Sequence, residues 1–557
     1  MSENLSYLSG RKGLKENLFE RLGDAAQASG TPELDKLEQL RKEFLIGKSS
    51  VYGAASFYDF LKPENVGKKI YYCSGSACMT AGTQDQLKKE ILHHFNSEEI
   101  GAMCCLGRCH ENHAFHFNGK NYSGKDGLRL LKEGTLRTQS GGTIDPYQVK
   151  SLGRSVLTQS KSDLNSFRNW FDKAASLGVD QWMEEIKKSG LRGRGGAGFS
   201  TAFKLDACRK AKGTEKFIVC NADEGDPGAF SDRYLLEQQP LLVLGGMLLA
   251  GMVTGATWGV VYIRGEYPES VEVISKTVID LEKAGLIGNN IRNTGTSFQF
   301  KVIKAQGAYI CGEETALLSS IEGQRPEVRV RPPYPAVHGL FNQPTVVSNV
   351  ETLANLPFIL ENGGLEFSKI GRGKSTGTKL VSLDGFFKTP GIVEAEMGTS
   401  LDQILTKAGG GYRVPIKALH IGGPLGGLVP INRSKELSLD FESFTENGFL
   451  LGHASVVCIP SEFPLIKYLT HLFEFTAHES CGKCFPCRLG SQRGAEMFKK
   501  AEEGEYRIDR KLLDDLLETL ESGSLCMLGG GLPLPIRNSL EYFSEELATY
   551  LTPETNA

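Results

Sequence analysis

Residues 240–263 read PLLVLGGMLLAGMVTGATWGVVYI, without a single charge. This length is close to the roughly 20 apolar residues that a membrane-spanning helix requires. Its glycines, and Gly255-Ala-Thr above all, break the run into a buried helix over about 241–253, a turn, and a buried strand over 258–263. Helix followed by strand is the crossover of an α/β fold, so no membrane span is expected here. The same alternation extends over residues 162–375 and predicts a largely parallel sheet. Beyond it, Gly391-Ile-Val-Glu-Ala-Glu-Met-Gly-Thr-Ser-Leu-Asp-Gln-Ile-Leu reads as strand, turn and helix, which predicts a small α+β module over 376–455. Helical periodicity on both sides of a cysteine loop predicts a C-terminal helical bundle over 456–557. Upstream, Lys68-Lys-Ile-Tyr-Tyr-Cys73 reads as a strand, 84–95 as an amphipathic helix, and 114–122 as a hairpin turning at Asn118-Gly119. This order predicts a thioredoxin-like unit over 67–140. A helical cap over 1–66 precedes it, and a polar linker over 141–161, marked by Gly141-Gly-Thr and Asp145-Pro, follows it. The fold class is α/β, multidomain.

At 557 residues the chain exceeds what one core organises and suggests roughly three or four domains. The formal charge of -3 is spread without acidic or basic blocks, so neither nucleic acid nor an anionic membrane is an expected partner. Thirteen cysteines, an odd and clustered set, point to reduced thiols in a cytoplasmic compartment. The opening residues, MSENLSYLSGRKGLKENLFERLG, place charges where a signal peptide needs an apolar core, so export is not expected.

Cys481-Gly-Lys-Cys484-Phe-Pro-Cys487 is answered much later by Cys526 in Ser-Leu-Cys-Met-Leu-Gly. An iron–sulfur cubane presents several iron corners at once, so one tight loop can hold three while a distant segment closes the fourth; this spacing points to a [4Fe-4S] cluster. Structural zinc, which favours paired ligand sets, is the alternative. Nearer the N-terminus, Cys73 and Cys78 form C-x4-C, and Cys105 and Cys109 form C-x3-C. Two pairs on neighbouring loops suit a [2Fe-2S] rhomb, in which each iron takes two thiolates. Cys104 would also make a C-x4-C pair with Cys109; Cys105 is the expected ligand and Cys104 a neighbouring thiol. Zinc is again an alternative, and a thioredoxin-type disulfide would need the C-x2-C that this region lacks.

Gly190-Leu-Arg-Gly193-Arg194-Gly195-Gly196-Ala-Gly198-Phe199 contains G-x-G-x-x-G, but a helical pattern precedes it where a dinucleotide fingerprint needs a strand. Backbone N–H groups of such a loop can still approach a phosphate. Arg192, Arg194 and Lys204 would supply charge, and Phe199 a face for a flat ring. A purely structural glycine turn is the plain alternative. Asn221-Ala-Asp223-Glu224-Gly-Asp226-Pro follows a strand pattern where ligand loops leave a parallel sheet, although an acidic helix cap would also explain it. Gly307-Ala-Tyr309-Ile-Cys311-Gly312-Glu313-Glu314-Thr315 carries two carboxylates into a helix. Capping explains one, and a ligand's hydroxyls or amide would explain the other. Arg329-Val-Arg331-Pro-Pro-Tyr334-Pro either lines a nucleotide cleft or forms a surface loop.

In this order GLRGRGGAGF, NADEGDPGAFSDR, IRGEYP, GAYICGEETALLSSIEG, RPPYPA, PTVVSNVETLAN and ESCGKCFPCRLG resemble the NADH-oxidising flavoprotein subunit of the respiratory complex I family, over about 165–550. VYGAASFYDF with the two N-terminal cysteine pairs resembles the small thioredoxin-like [2Fe-2S] subunit of the same enzymes, here fused in front. Such fusions are similar to the diaphorase subunits of soluble NAD-dependent formate dehydrogenases and NAD-linked hydrogenases. The resemblance implies FMN held by the glycine loop, Lys204, Asn221, Asp223, Glu224, Gly312, Glu313 and Glu314. It implies NAD(H) stacked over the flavin between Phe199 and Tyr334, with Glu314 near the nicotinamide carboxamide as the one side chain assigned to the reaction. Asp226, Tyr309, Arg331, Ser348 and Asn349 carry over to the flavin- and nucleotide-side loops. The family's [4Fe-4S] ligands fall on Cys481, Cys484, Cys487 and Cys526, and its [2Fe-2S] ligands on Cys73, Cys78, Cys105 and Cys109. The module after about 375 resembles the family's ubiquitin-like domain. Asp226, Arg331, Tyr334 and Ser348 depart from the usual Glu, Lys, Phe and Asn; a shorter carboxylate and an added guanidinium bear on NAD versus NADP.

The implied reaction is hydride transfer between NAD(H) and FMN, then single-electron transfer through the clusters. Electrons would pass to or from an iron–sulfur partner subunit of a hetero-oligomeric complex, such as a formate dehydrogenase or hydrogenase. No nucleophilic side chain is required; the protein holds the rings face to face and excludes water. Two other readings are a subunit of an electron-bifurcating NAD(P)H/ferredoxin enzyme and a non-catalytic electron relay with a degenerate flavin pocket. The intact glycine, Asn-Ala-Asp-Glu and Gly-Glu-Glu-Thr segments count against the second.

Overall fold

The computed structural model describes residues 13–15, 17–26, 30–138, 141–143 and 145–552. Residues 1–12, 16 and 27–29 of the expected cap, 139–140 of the expected thioredoxin-like unit, 144 in the expected linker and 553–557 of the expected bundle lie outside the described residues. The charge-free run divides as its glycines predict, into helix Pro240–Thr254 and strand Trp258–Ile263. That strand belongs to a four-stranded, all-parallel sheet in the order Gln299–Lys304, Trp258–Ile263, Phe217–Ala222, Thr345–Asn349. Pro240–Thr254 also packs closely on helix Val350–Ala354: a Cβ on Gly246 would fall 1.9 Å from the Leu353 carbonyl oxygen, so only glycine admits this approach. Among the described residues no single helix is long and apolar enough to cross a membrane.

Helices cover both faces of the sheet. Pro240–Thr254, Leu164–Leu177 and Val179–Ser189 bury Val243, Trp170 and Trp182 on one side with Ile218 and Val261. On the other side Phe19, Leu22 and Tyr58 from the N-terminal helical segment join Val219, Tyr262 and Leu318 in a second buried cluster. The N-terminal helices therefore form a layer of this central unit. Double coverage is why the two central strands, Phe217–Ala222 and Trp258–Ile263, read as apolar runs. Each fully buried Val or Leu contributes roughly 1.5–3 kcal/mol.

The N-terminal cysteine unit has a sheet in the order Ile100–Met103, Ile70–Cys73, Phe115–Phe117, Lys120–Tyr122, parallel in its first pair and antiparallel in the others. Helix Gln84–Leu92 ends earlier than its apolar period predicted. Both cysteine pairs leave the carboxyl ends of adjacent parallel strands, which places them on neighbouring loops.

A third sheet runs Gly427–Pro430, Ile416–Ile421, Ser455–Pro460, Thr378–Leu383, Gly391–Glu396, Lys150–Leu152. Two of its strands differ from the expected layout. Ser455–Pro460 lies inside this sheet rather than with the C-terminal bundle, and Lys150–Leu152 comes from the segment read as irregular linker. The latter pairs in parallel with 393–395. Three residues are too few to show a period, so only the tertiary partner makes them a strand. Helices Leu465–Glu479, Phe485–Glu502, Arg510–Gly523 and Pro533–Tyr542 then form the C-terminal bundle.

Candidate active site and metal centres

Four segments converge at the carboxyl ends of the central parallel strands. They are the glycine loop between helices Val179–Ser189 and Thr201–Lys210, the end of Phe217–Ala222, the turn Tyr309–Gly312, and the end of Thr345–Asn349. The cleft between them is lined by Gly193, Gly195, Gly198, Phe199, Lys204, Asn221, Gly312, Glu314, Ser348 and Asn349. This is where ligands bind in open α/β sheets. A wider cavity of ≈ 860 Å³ lies at the opposite, amino ends of the strands beside Phe217 and Trp258, and it has no glycine loop. The cleft is the place that gathers the expected ligands.

Of the three basic side chains near the loop, Lys204 reaches the cleft. Its Nζ donates to Glu314 Oε2 at 3.1 Å and to the Val347 carbonyl at 3.0 Å. The other Glu314 oxygen accepts from Arg331 Nη1 at 3.1 Å. Glu313 caps the helix instead, its Oε2 accepting the N–H groups of Thr315 and Ala316 at 2.9 Å each. The adjacent acids thus divide into one cap and one cleft carboxylate. Asn221 Nδ2 donates to the Gly312 carbonyl at 2.7 Å, and Asn349 caps the next helix at Thr352. Phe199 and Tyr334 are exposed.

Several expected ligands lie behind the cleft rather than in it. Arg194 is fully buried with its guanidinium on the Thr376 carbonyl, and burial lowers its pKa to about 10. The loop folds this side chain inward, so it offers no charge to a ligand; Arg192 is likewise engaged, by Glu442. Gly196 faces Gly452 of the third sheet's module, where a Cβ on Gly196 would lie 3.8 Å from the Gly452 backbone. Glu224 accepts the N–H groups of Asp232 at 2.9 Å and Arg233 at 3.1 Å, the helix-capping role that its acidic loop allowed. Burial and Asp232 raise its pKa to about 7. Asp226, raised by burial, accepts the Tyr309 hydroxyl at 2.6 Å, which withdraws both from the cleft. Asp223 is half-buried beside Gly312, its buried Oδ2 has no hydrogen-bond partner, and burial pushes its pKa well above the usual carboxylate range. An orphaned acid, a glycine loop and one cleft ammonium fit a ligand that carries hydroxyls and a phosphate, as FMN does.

Cys481, Cys484, Cys487 and Cys526 meet around Ile310, Ala316, Val328 and Leu528. Burial pushes the Cys487 thiol up to about 11 and the Cys526 thiol up to about 12. Gly529, passed over in the sequence, closes this pocket: a Cβ there would lie 2.7 Å from Cys487 Cβ. The glycine run just after Cys526 was the available signal. In the N-terminal unit Cys105 and Cys109 Sγ stand 3.3 Å apart, and the Cys73 thiol is within hydrogen-bond reach of Cys105 and Cys78. Cys104 neighbours Cys105 and also faces the charges of Glu479, Arg264 and Glu266. All thirteen cysteines are free. Each group of four thiols fits the cluster that its spacing predicted.

Two connections join these centres. The turn Tyr309–Gly312 lines the cleft with Gly312 and packs Ile310 into the Cys481 pocket. Arg264, which the sequence motif IRGEYP left without a role, donates to the Glu224 carbonyl at 2.5 Å and to the Cys104 carbonyl at 2.8 Å.

Three family models match the chain: the Nuo51 FMN-binding domain over 186–358, the NADH-ubiquinone oxidoreductase-F iron-sulfur binding region over 467–550, and the thioredoxin-like [2Fe-2S] ferredoxin over 6–127. The chain is 37% identical over 425 residues to NADP-reducing hydrogenase subunit HndC of Solidesulfovibrio fructosivorans, covering 75% of this chain and 84% of that one. It is 36% identical over 437 residues to the mitochondrial NADH dehydrogenase [ubiquinone] flavoprotein 1 of Dictyostelium discoideum, covering 77% and 88%. A chain in the crystal structure of NAD+-reducing [NiFe]-hydrogenase in the air-oxidized state superposes with a TM-score of 0.85 at 27% identity, covering 98% of this chain and 95% of that one.

Proposed function

The chain belongs to the family of NADH-oxidising flavoprotein subunits that includes NADH dehydrogenase [ubiquinone] flavoprotein 1, and from this we propose that it is the diaphorase subunit of an NAD-linked hydrogenase or formate dehydrogenase. Its cofactors are FMN, a [4Fe-4S] cluster and a [2Fe-2S] cluster, and its substrate is NAD(H). When bound, FMN supplies the exchange between two-electron hydride chemistry and one-electron chemistry.

The chain's own residues hold and orient. N–H groups of the glycine loop and the Lys204 ammonium take the flavin phosphate, while Asn221 and Asp223 take hydroxyls of its side chain. Phe199 and Tyr334 wall the nicotinamide side, and Glu314 accepts the carboxamide N–H. Cys481, Cys484, Cys487 and Cys526 hold the cubane, and Cys73, Cys78, Cys105 and Cys109 the rhomb. The observation that carries this reading is the turn Tyr309–Gly312, which is at once a wall of the cleft and a wall of the Cys481 pocket. The hydrogenase form is supported by near-complete coverage in both directions against a chain of an NAD+-reducing [NiFe]-hydrogenase. Thirteen free thiols support a reducing, cytoplasmic setting.

Anaerobically purified complex is expected to contain FMN, to reduce a dye with NADH, and to bring down a subunit holding nickel for a hydrogenase or molybdenum or tungsten for a formate dehydrogenase. Protein that is free of flavin absorbance and inert towards NADH refutes the reading.

A further inference from the structure

Behind the cleft lies a buried acid–base cluster that none of these roles uses. Glu224 comes from the loop after Phe217–Ala222, Asp232 from helix Ser231–Gln238, and His453 from the turn before Ser455–Pro460 in the third sheet. They are only 5%, 1% and 6% exposed. His453 Nε2 lies 3.2 Å from Asp232 Oδ2, and its Nδ1 lies 3.7 Å from Glu224 Oε1. Nδ1 and Asp232 Oδ1 have no hydrogen-bond partner. The other charges facing the cluster are Asp226, held by Tyr309, Lys379, paired with Glu351, and Arg264. A neutral ring here would leave buried carboxylate charge uncompensated, so the site favours the imidazolium. Burial lowers the His453 pKa, but Asp232 and Glu224 outweigh burial and Lys379 and bring it to about 9.

Each carboxylate of the cluster is attached to a redox site. Asp232 Oδ2 also accepts the Asn349 amide at 2.6 Å, and Asn349 is part of the cleft wall. Glu224 Oε2 accepts the Tyr267 hydroxyl at 3.3 Å. Tyr267 in turn packs on Gly107, where a Cβ would fall 2.7 Å from that hydroxyl. Gly107 lies between Cys105 and Cys109 and donates its N–H to Cys105 Sγ at 3.4 Å.

We propose that His453 is a positioning residue for both redox sites: as a buried cation it fixes Asn349 at the flavin cleft through Asp232, and it fixes the Gly107 loop of the [2Fe-2S] site through Glu224 and Tyr267. The inference rests on the flavin reading above. Without the cation, Asp232 and Glu224 face each other unscreened, and both attachments shift as the carboxylates separate or one takes up a proton. None of the three residues bonds to the Cys481 loop, so the [4Fe-4S] site is the internal control.

The test compares the full chain with His453→Gln, which keeps a donor for Asp232 and loses the charge. His453→Gln is expected to bind FMN about tenfold more weakly, ~1.4 kcal/mol. Its [2Fe-2S] EPR signal should shift while its [4Fe-4S] signal stays unchanged. In the unmodified protein FMN affinity should fall as pH rises through about 9, because the cation is present below that pKa and lost above it. The variant should lack this inflection; ionisation of FMN itself is common to both proteins and cancels in their ratio. Unchanged FMN affinity, pH profile and [2Fe-2S] signal overturn the inference and leave the flavin reading standing, as does joint loss of both cluster signals, which would mean general unfolding. Unmodified protein that binds no FMN at any pH overturns the flavin reading itself. Should the variant not accumulate, a flat pH profile in the unmodified protein is sufficient to overturn the inference.

Discussion

Glu314→Gln removes one negative charge from the cleft and keeps the side chain's shape and one acceptor. In the structure this carboxylate stands 3.1 Å from both Lys204 Nζ and Arg331 Nη1, with side-chain exposures of 21%, 31% and 32%. At that distance each pair attracts by about 5 kcal/mol at an effective dielectric of about 20. At such exposure solvent screening and lost hydration offset most of it, and the pairs' net effect on folding is at most about 1 kcal/mol. The larger effect falls on the nucleotide. A hydrogen bond from the carboxamide N–H to a charged acceptor nets ~1.5–3 kcal/mol, and losing it should lower kcat/KM for NADH roughly 10- to 150-fold. FMN content should stay unchanged, since the glycine loop, Lys204 and Asn221 are intact. Steady-state dye reduction and the FMN-to-protein absorbance ratio, taken on one preparation, give both numbers. Unchanged kcat/KM refutes the role of Glu314; loss of FMN in parallel with activity would assign it to anchoring flavin through Lys204 instead.

Cys105→Ser should erase the [2Fe-2S] EPR signal while Cys104→Ser retains it; the opposite pattern would exchange their roles. Gly529→Ala pushes a methyl to 2.7 Å from Cys487 Cβ, an overpacking of about 1–3 kcal/mol. Iron content and EPR signal of the [4Fe-4S] site should drop while flavin and [2Fe-2S] remain; full iron occupancy would show that the pocket yields to the added methyl.

Much of the fold was legible because it follows from local chemistry. The glycines of 240–263 divide helix from strand, and the central strands Phe217–Ala222 and Trp258–Ile263, covered on both faces, show as apolar runs. Cysteine spacing carries the geometry of the clusters it suits, and the Glu313-Glu314 pair separates into cap and cleft acid because a helix end needs only one cap. What sequence left open depends on where side chains turn in three dimensions. Arg194 sits in a loop suited to phosphate yet points into the core, and Glu224, in a loop suited to ligands, binds the N–H groups of Asp232 and Arg233. His453 lies in Leu-Gly-His-Ala-Ser with no pattern around it, and it gains meaning only from Asp232, distant in sequence. Lys150–Leu152 is equally silent until its neighbour strand is known.

That short strand closes the edge of a sheet whose other five members all come after residue 377. The piece of chain joining the [2Fe-2S] unit to the flavin unit is thus buttoned to a third body by main-chain pairing, and the Glu394 carboxylate of that body adds bonds to the N–H groups of Val156, Leu157 and Thr158. Sheet edges accept a strand from a separate polypeptide by the same bonds. Were the chain divided just beyond Thr158, the severed N-terminal part would carry with it both the strand pairing and the Glu394 bonds that fasten it to the sheet.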